Sequence, residues 1–161
     1  MAAGRGIGRA GLVQIVIEPP PIWIEERLAA IGAGFTFLEG LWHRIADIMA
    51  QIETELWASH GWGKWPPLKA STLEQKARLG YPSDPMVRTG DLRDSLENAG
   101  QAAVYSPQRL VYGTDIPYAI YHQVEHVPGR PPTRKVIDIE GQEHRITEAA
   151  EEYALELARL L

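Results

Sequence analysis

The sequence predicts an α+β fold, with a small, mostly antiparallel sheet packed against a long N-terminal helix and a C-terminal helix. Three observations carry this expectation. Apolar residues recur at helical spacing from Phe35 to His60 and again from Glu143 to the end. Short alternating segments stand at Leu12–Glu18 and across 102–114. No internal repeat or interior linker divides the 161 residues, so one domain over 11–161 is expected behind a Gly- and Ala-rich flexible tail at 1–10.

Each element has a local reason. Glycines at 4, 6 and 8 spell a GxGxG string, but it follows no strand and opens no clear helix, so a phosphate loop is not expected there. In Leu12–Glu18, Val13, Ile15 and Ile17 share one face, and Pro19-Pro20-Pro21 stops the strand. A short helical piece over Ile24–Ile31 would end at Gly32 and Gly34. The long helix gathers Leu38, Leu41, Trp42, Ile45, Ile48, Met49, Ile52 and Leu56 on one side, with Arg44, Asp47, Gln51 and Glu55 mostly opposite.

Gly61 to Pro67 then breaks the helical pattern. Ser71-Thr72-Leu73-Glu74 reads as a capping box opening a short helix to Leu79, and Gly80, Pro82 and Pro85 predict an exposed loop. Thr89 or Asp91 would cap the next helix, with Gly100 closing it. A hairpin over 102–106 and 109–114 places Leu110 and Tyr112 on one face. Pro117 permits a helical turn to Gln123, and a strand near 135–140 would turn Ile137 and Ile139 inward. The last helix carries Ile146, Ala149, Ala150, Tyr153, Leu157 and Leu160 on one stripe and Glu148, Glu151, Glu152 and Glu156 on the remainder.

Composition excludes several classes. Hydrophobic residues at 45% and charged residues at 23% are globular values. A net charge of −5 argues against a general nucleic-acid binder. Without cysteine there is no disulfide, thiolate zinc site or cysteine nucleophile. No apolar run approaches the ~20 residues a membrane span needs, and the first residues lack the apolar stretch of a secretory signal.

The sharpest enzymatic pattern is His122-Gln123-Val124-Glu125-His126. It spells H-x-x-E-H, in which two histidines one helical turn apart hold zinc and the glutamate activates water. That chemistry needs a continuous helix, whereas Pro128 disfavours the α conformation at Val127. Glu143 or His144 would have to supply a third ligand, and neither stands at a recognisable spacing. There is no G-x-S-x-G elbow and no Walker lysine loop. Neither a metal nor a cofactor is expected, and the chain is read as a non-enzyme.

The middle of the chain carries a second pattern, in four ordered blocks. Trp65-Pro66-Pro67-Leu68 with Thr72 and Lys76 makes W-x-P-L-x-x-x-T-x-x-x-K. Met86, Thr89-Gly90, Leu92 and Ser95 follow, then Gly113-Thr114 with Tyr118-Ala119 and His122-Gln123, then Arg130-Pro131. This order resembles the phage virion morphogenesis proteins, the tail completion or tail terminator proteins of Mu-like and related long-tailed phages. The blocks lie between residues 65 and 134 and cover under half the chain. After His-Gln the family commonly has a glycine, where this chain runs Val124-Glu125-His126, and Arg130-Pro131 continues into Pro132-Thr133-Arg134 rather than an aromatic stretch.

The resemblance implies a structural virion protein of the tail or neck, assembled in the host cytoplasm as a six-fold ring. Its partners would be copies of itself, the tail tube protein and a head-tail connector or stopper. DNA would pass only as cargo, and no membrane is involved. These motif residues, Trp65, Pro67, Leu68, Thr72, Lys76, Thr89, Gly90, Leu92, Ser95, Gly113, Tyr118, Ala119, His122, Gln123, Arg130 and Pro131, are the candidate inter-subunit contacts; singly each also reads as intramolecular punctuation, and the loops at 61–70, 80–88 and 124–134 would reach neighbouring subunits. Glu148, Glu151, Glu152 and Glu156 would line a lumen that does not grip DNA. The alternatives are a zinc hydrolase using His122, Glu125 and His126, and a stopper or head-completion protein.

Overall fold

From Leu38 to Ala58 the apolar stripe runs without a proline, and the chain forms a 21-residue helix, α1. Its length is about 31 Å at 1.5 Å per residue. The computed structural model describes residues 13–17, 38–106, 109–124 and 132–159. Leu41, Trp42, Ile45, Met49, Ile52 and Leu56 are fully enclosed, and Ile48 is half-buried. Helix α1 ends in a Schellman turn: Gly61 N–H donates to the Leu56 carbonyl at 2.7 Å and His60 N–H to that of Trp57 at 3.2 Å. His60 takes the left-handed position at φ 51°, where glycine is usual.

The C-terminal stripe forms α6, Glu143–Arg159, burying Ile146, Ala149, Ala150, Ala154 and Leu157. It lies antiparallel along α1. The register is visible in two cross-links, Arg44 with Glu156 at 2.7 Å and Arg145 with Glu55 at 2.9 Å. These are exposed pairs, worth a few tenths of a kcal/mol each, so they orient the helices while apolar burial holds them. Hydrogen bonding to Arg44 holds the Glu156 carboxyl below its ordinary value.

β1 (Val13–Ile17), β2 (Ala103–Ser106) and β3 (Arg109–Thr114) form one antiparallel sheet in the order β1-β3-β2. Alternation in β3 turns Leu110, Tyr112 and Thr114 inward toward α1 and leaves Arg109 exposed. Val13 is buried and Ile15 packs against the same core. Pairing brings Gln14 opposite Gly113. A Cβ at Gly113 would stand 2.2 Å from the Val13 carbonyl oxygen and 2.6 Å from Gln14 Cα, backbone atoms that cannot swing aside. Gly113→Val is therefore expected to cost about 2–3 kcal/mol and to strip amide protection from β1, by urea unfolding and hydrogen exchange. An unchanged midpoint would contradict this register.

The short elements correct several expectations. α2 is Ala70–Arg78 with Lys69 at its N-cap and no side-chain cap, so Ser71 already lies inside the helix and no capping box forms with Glu74. α3, Asp91–Glu97, starts from Gly90 at φ 100° instead of a side-chain cap. Thr89 spends its hydroxyl on Asp91 Oδ2, 2.7 Å away. Gly100 does not close α3: it sits within α4, Ala99–Ala102, where its N–H is capped by the Asn98 side chain. Pro117–Ala119 is a 3₁₀ turn running into α5, Ile120–Gln123. No strand forms over 135–140; Ile137 is buried, Ile139 half-buried, and the backbone bends through 136–137. The tail at 1–10, the helical piece at 24–31, the hairpin tip at 107–108, the loop tip at 125–131 and Leu160 lie outside the described residues.

Candidate functional site

The segment 132–140 has no strand partner, yet its backbone polar groups are not left bare. Gln123, at the end of α5, serves as a substitute strand. Its Nε2 donates to the Ile137 carbonyl at 2.9 Å, while its Oε1 accepts from Val136 N–H at 2.9 Å and Ile137 N–H at 3.1 Å. Trp65 Nε1–H donates to the Lys135 carbonyl at 3.2 Å. Trp62 Nε1–H reaches toward the Asp138 carbonyl at 3.4 Å, and Asp138 Oδ1 accepts from Glu140 N–H at 3.2 Å. Side chains thus meet the requirement that buried N–H and C=O groups find partners, which is why the expected strand is replaced by a strap.

Arg134 anchors the other end of this strap. It is 6% exposed, and its guanidinium donates twice to the Pro66 carbonyl, from Nε at 3.1 Å and from Nη2 at 2.7 Å. Its own N–H donates to the His122 carbonyl at 3.2 Å. Trp65 meets Trp57 edge-on at 5.2 Å between centroids, in a good aromatic geometry. Gly61 leaves room for this ring, since a Cβ there would lie 2.2 Å from Trp65. Motif residues from two distant blocks, Trp65 on one side and His122-Gln123 on the other, are therefore brought to one anchor.

Two further clamps use motif residues. Lys76 Nζ donates to the carbonyls of Asp84 at 2.6 Å and Val87 at 2.7 Å, tying the 80–88 loop to α2. Partial burial lowers the Lys76 pKa, with Asp84 opposing. Arg88 lies over the Tyr81 ring and donates to its hydroxyl at 3.0 Å. Ser95 Oγ donates to the Leu92 carbonyl at 2.8 Å and meets Thr114 Oγ1 at 2.8 Å. Thr114 Oγ1 accepts from Ile116 N–H, so Leu92, Ser95 and Thr114 join α3 to the end of β3. Ala119 is fully enclosed, whereas Tyr118 is 45% exposed and Pro67 lies at the surface. Thr72 and Leu68 are half-buried. Arg130 and Pro131 lie outside the described residues.

The H-x-x-E-H pattern meets an obstacle at its centre. α5 stops at Gln123, and Val124 is extended at ψ 155°. The helix that begins at Ile120 does not continue through Val124; Glu125 and His126 lie outside the described residues. Burial, then the Arg134 charge, holds the His122 imidazole below its ordinary pKa. A cation bound there would share the space with that guanidinium. Among the described residues, no group of three His, Asp or Glu is placed to hold a metal ion. None of the described helices is long and apolar enough to cross a membrane.

Sequence reasoning passed over two residues. Arg134 stood out only as a cation beside prolines; its role depends on Pro66, 68 positions away. Glu53 lies wholly inside the core of α1, with neither carboxylate oxygen hydrogen-bonded. Burial raises its pKa well above the carboxylate range, Asp138 and Glu97 add to this, and Trp57 offsets it in part. Its position four residues after Met49 and three before Leu56 was the available signal. Compared with protein-family models, curated proteins and solved structures, the chain shows no match.

Proposed function

We propose that this chain is a non-enzymatic structural component of a phage tail, acting as a ring at the head-proximal end. One face of the ring meets the last tail-tube ring, and the other meets the head connector or stopper. The mechanism is geometric: head-to-tail contacts between copies close on themselves instead of propagating. The ring, six-fold by resemblance, is part of the virion and is assembled in the host cytoplasm, with DNA passing through as cargo.

The observation that carries this reading is the convergence of the motif blocks on intramolecular anchors. Trp65, Lys76, Ser95, Thr114 and Gln123 each spend their polar atoms on bonds within the chain and so fix the stems of surface loops. Rigid stems under exposed loops suit recognition by shape. Negative-stain imaging of particles lacking the protein is the test. Tails of uncontrolled length, or finished tails unattached to heads, are expected; normal virions would refute the reading. About one tightly held zinc per purified chain would favour the hydrolase instead.

A further inference from the structure

Arg134 is a cation that the fold encloses without an acid beside it. It is buried, and among the described residues its guanidinium has one acceptor, the neutral Pro66 carbonyl. The chain carries 21 Asp and Glu against 16 Lys and Arg, yet no described carboxylate lies within ion-pair distance of Arg134. Burial lowers its pKa, but a guanidinium starts so high that it stays charged. Enclosing a charge is costly, and a neutral carbonyl offsets only part of that cost.

His122 stands next to it. The Arg134 N–H donates to the His122 carbonyl, which sets the two residues side by side at the start of the strap. The imidazole is half-buried and makes no hydrogen bond among the described residues. Burial and then the Arg134 charge hold its pKa down, and no described carboxylate opposes them. Arg134 Nη1 also makes no hydrogen bond among the described residues, and neither it nor the imidazole nitrogens are sealed from solvent. Two basic groups with unspent nitrogens and no acid between them disfavour a cation and favour an anion.

We propose that Arg134 and His122 form a binding site for an oxyanion, a carboxylate or a phosphate-like group. Arg134 Nη1 donates a charge-assisted hydrogen bond, and His122 takes a proton from solvent and donates another. Arginine suits this place, because its weakly hydrated guanidinium tolerates burial and directs several donors at oxygen. The bound anion supplies the counter-charge that the fold itself does not. This site stands apart from the tail reading, and either can fail alone.

The imidazole itself reports occupancy. In the full chain at low concentration, the His122 ring signals are followed by NMR across pH and assigned by their loss in His122→Asn. Sodium sulfate stands in for phosphate because it does not titrate in this range, and sodium acetate stands in for a carboxylate. An anion at the site favours the imidazolium, so the His122 midpoint is expected to rise by about one pH unit at saturation. Sodium chloride at the same ionic strength only screens Arg134 and should raise it less. If neither sulfate nor acetate exceeds chloride, the proposal is overturned. Arg134→Gln, which keeps a donor for the Pro66 carbonyl, should abolish the excess; an excess retained in that folded variant also overturns the site. Should the variant fail to fold, the wild-type comparison decides. A midpoint that also climbs with protein concentration, without added anion, identifies the natural oxyanion as a carboxylate of a second copy. A midpoint that is constant with concentration and responds to sulfate or acetate identifies a free anion.

Discussion

Replacing Glu53 with methionine is expected to stabilise the protein by about 2 kcal/mol or more well above the ordinary carboxylate range and to remove the loss of stability that sets in as pH rises past 4.5. Glu53 is enclosed in the core with both oxygens unpartnered. The groups that act on it are Asp138 and Glu97, of like charge, and the Trp57 indole, which offsets burial only in part. Tyr112, whose hydroxyl donates to the Leu96 carbonyl, has its own pKa raised by burial and by Glu53. The folded protein therefore keeps this carboxyl protonated above its ordinary value of 4.5. Below that value both states hold the proton and no penalty exists. Above it the unfolded chain releases the proton and the folded chain does not, so stability falls by about 1.4 kcal/mol per pH unit until the folded pKa is passed. Glu53→Gln should flatten the same slope without the full gain, because a buried polar group remains. Urea unfolding between pH 4 and pH 9 reads both variants; parallel pH profiles for wild type and Glu53→Met would show that the carboxyl is not held neutral.

Gln123→Ala is expected to cost about 3 kcal/mol, one of the largest losses available outside the apolar core. The substitution leaves Val136 N–H, Ile137 N–H and the Ile137 carbonyl without the partner that replaces a neighbouring strand. Val136 and Ile137 are themselves buried, so water cannot readily take over. Gln123→Glu keeps an acceptor for the two N–H groups but sets its second oxygen against the Ile137 carbonyl, and an intermediate loss is expected. Hydrogen exchange at Val136 and Ile137 locates the effect. Full protection of both amides in Gln123→Ala would show that the strap holds by apolar burial alone.

These two positions mark where local pattern stops being informative. α1, α6, the β2–β3 hairpin and the inward face of β3 are legible because each signal is a periodicity within a few turns or residues. The strand expected over 135–140 came from the same logic, and its inward Ile137 is indeed buried. Its hydrogen bonds, however, go to Gln123, Trp62 and Trp65, and alternation cannot reveal which partner a backbone will find. Helix starts were misread at Ser71 and Thr89 for a related reason. Local capping is worth about 1 kcal/mol, and the Lys76 clamp and the Gly90 turn outweigh it.

Motif blocks in the sequence identified side chains that matter without saying how. Trp65, Lys76, Ser95 and Gln123 could equally have pointed outward to a partner or inward to a backbone. Residue spacing alone settled the α+β class, the long helix and the acidic final helix, since amphipathic periodicity is written into neighbouring residues. Tertiary structure decided the rest: which polar side chain completes which distant backbone, that a glutamate lies within the core, and that Arg134 is enclosed against a neutral carbonyl. Those outcomes depend on burial and on partners brought together from distant parts of the chain, and neither quantity exists until the chain has folded.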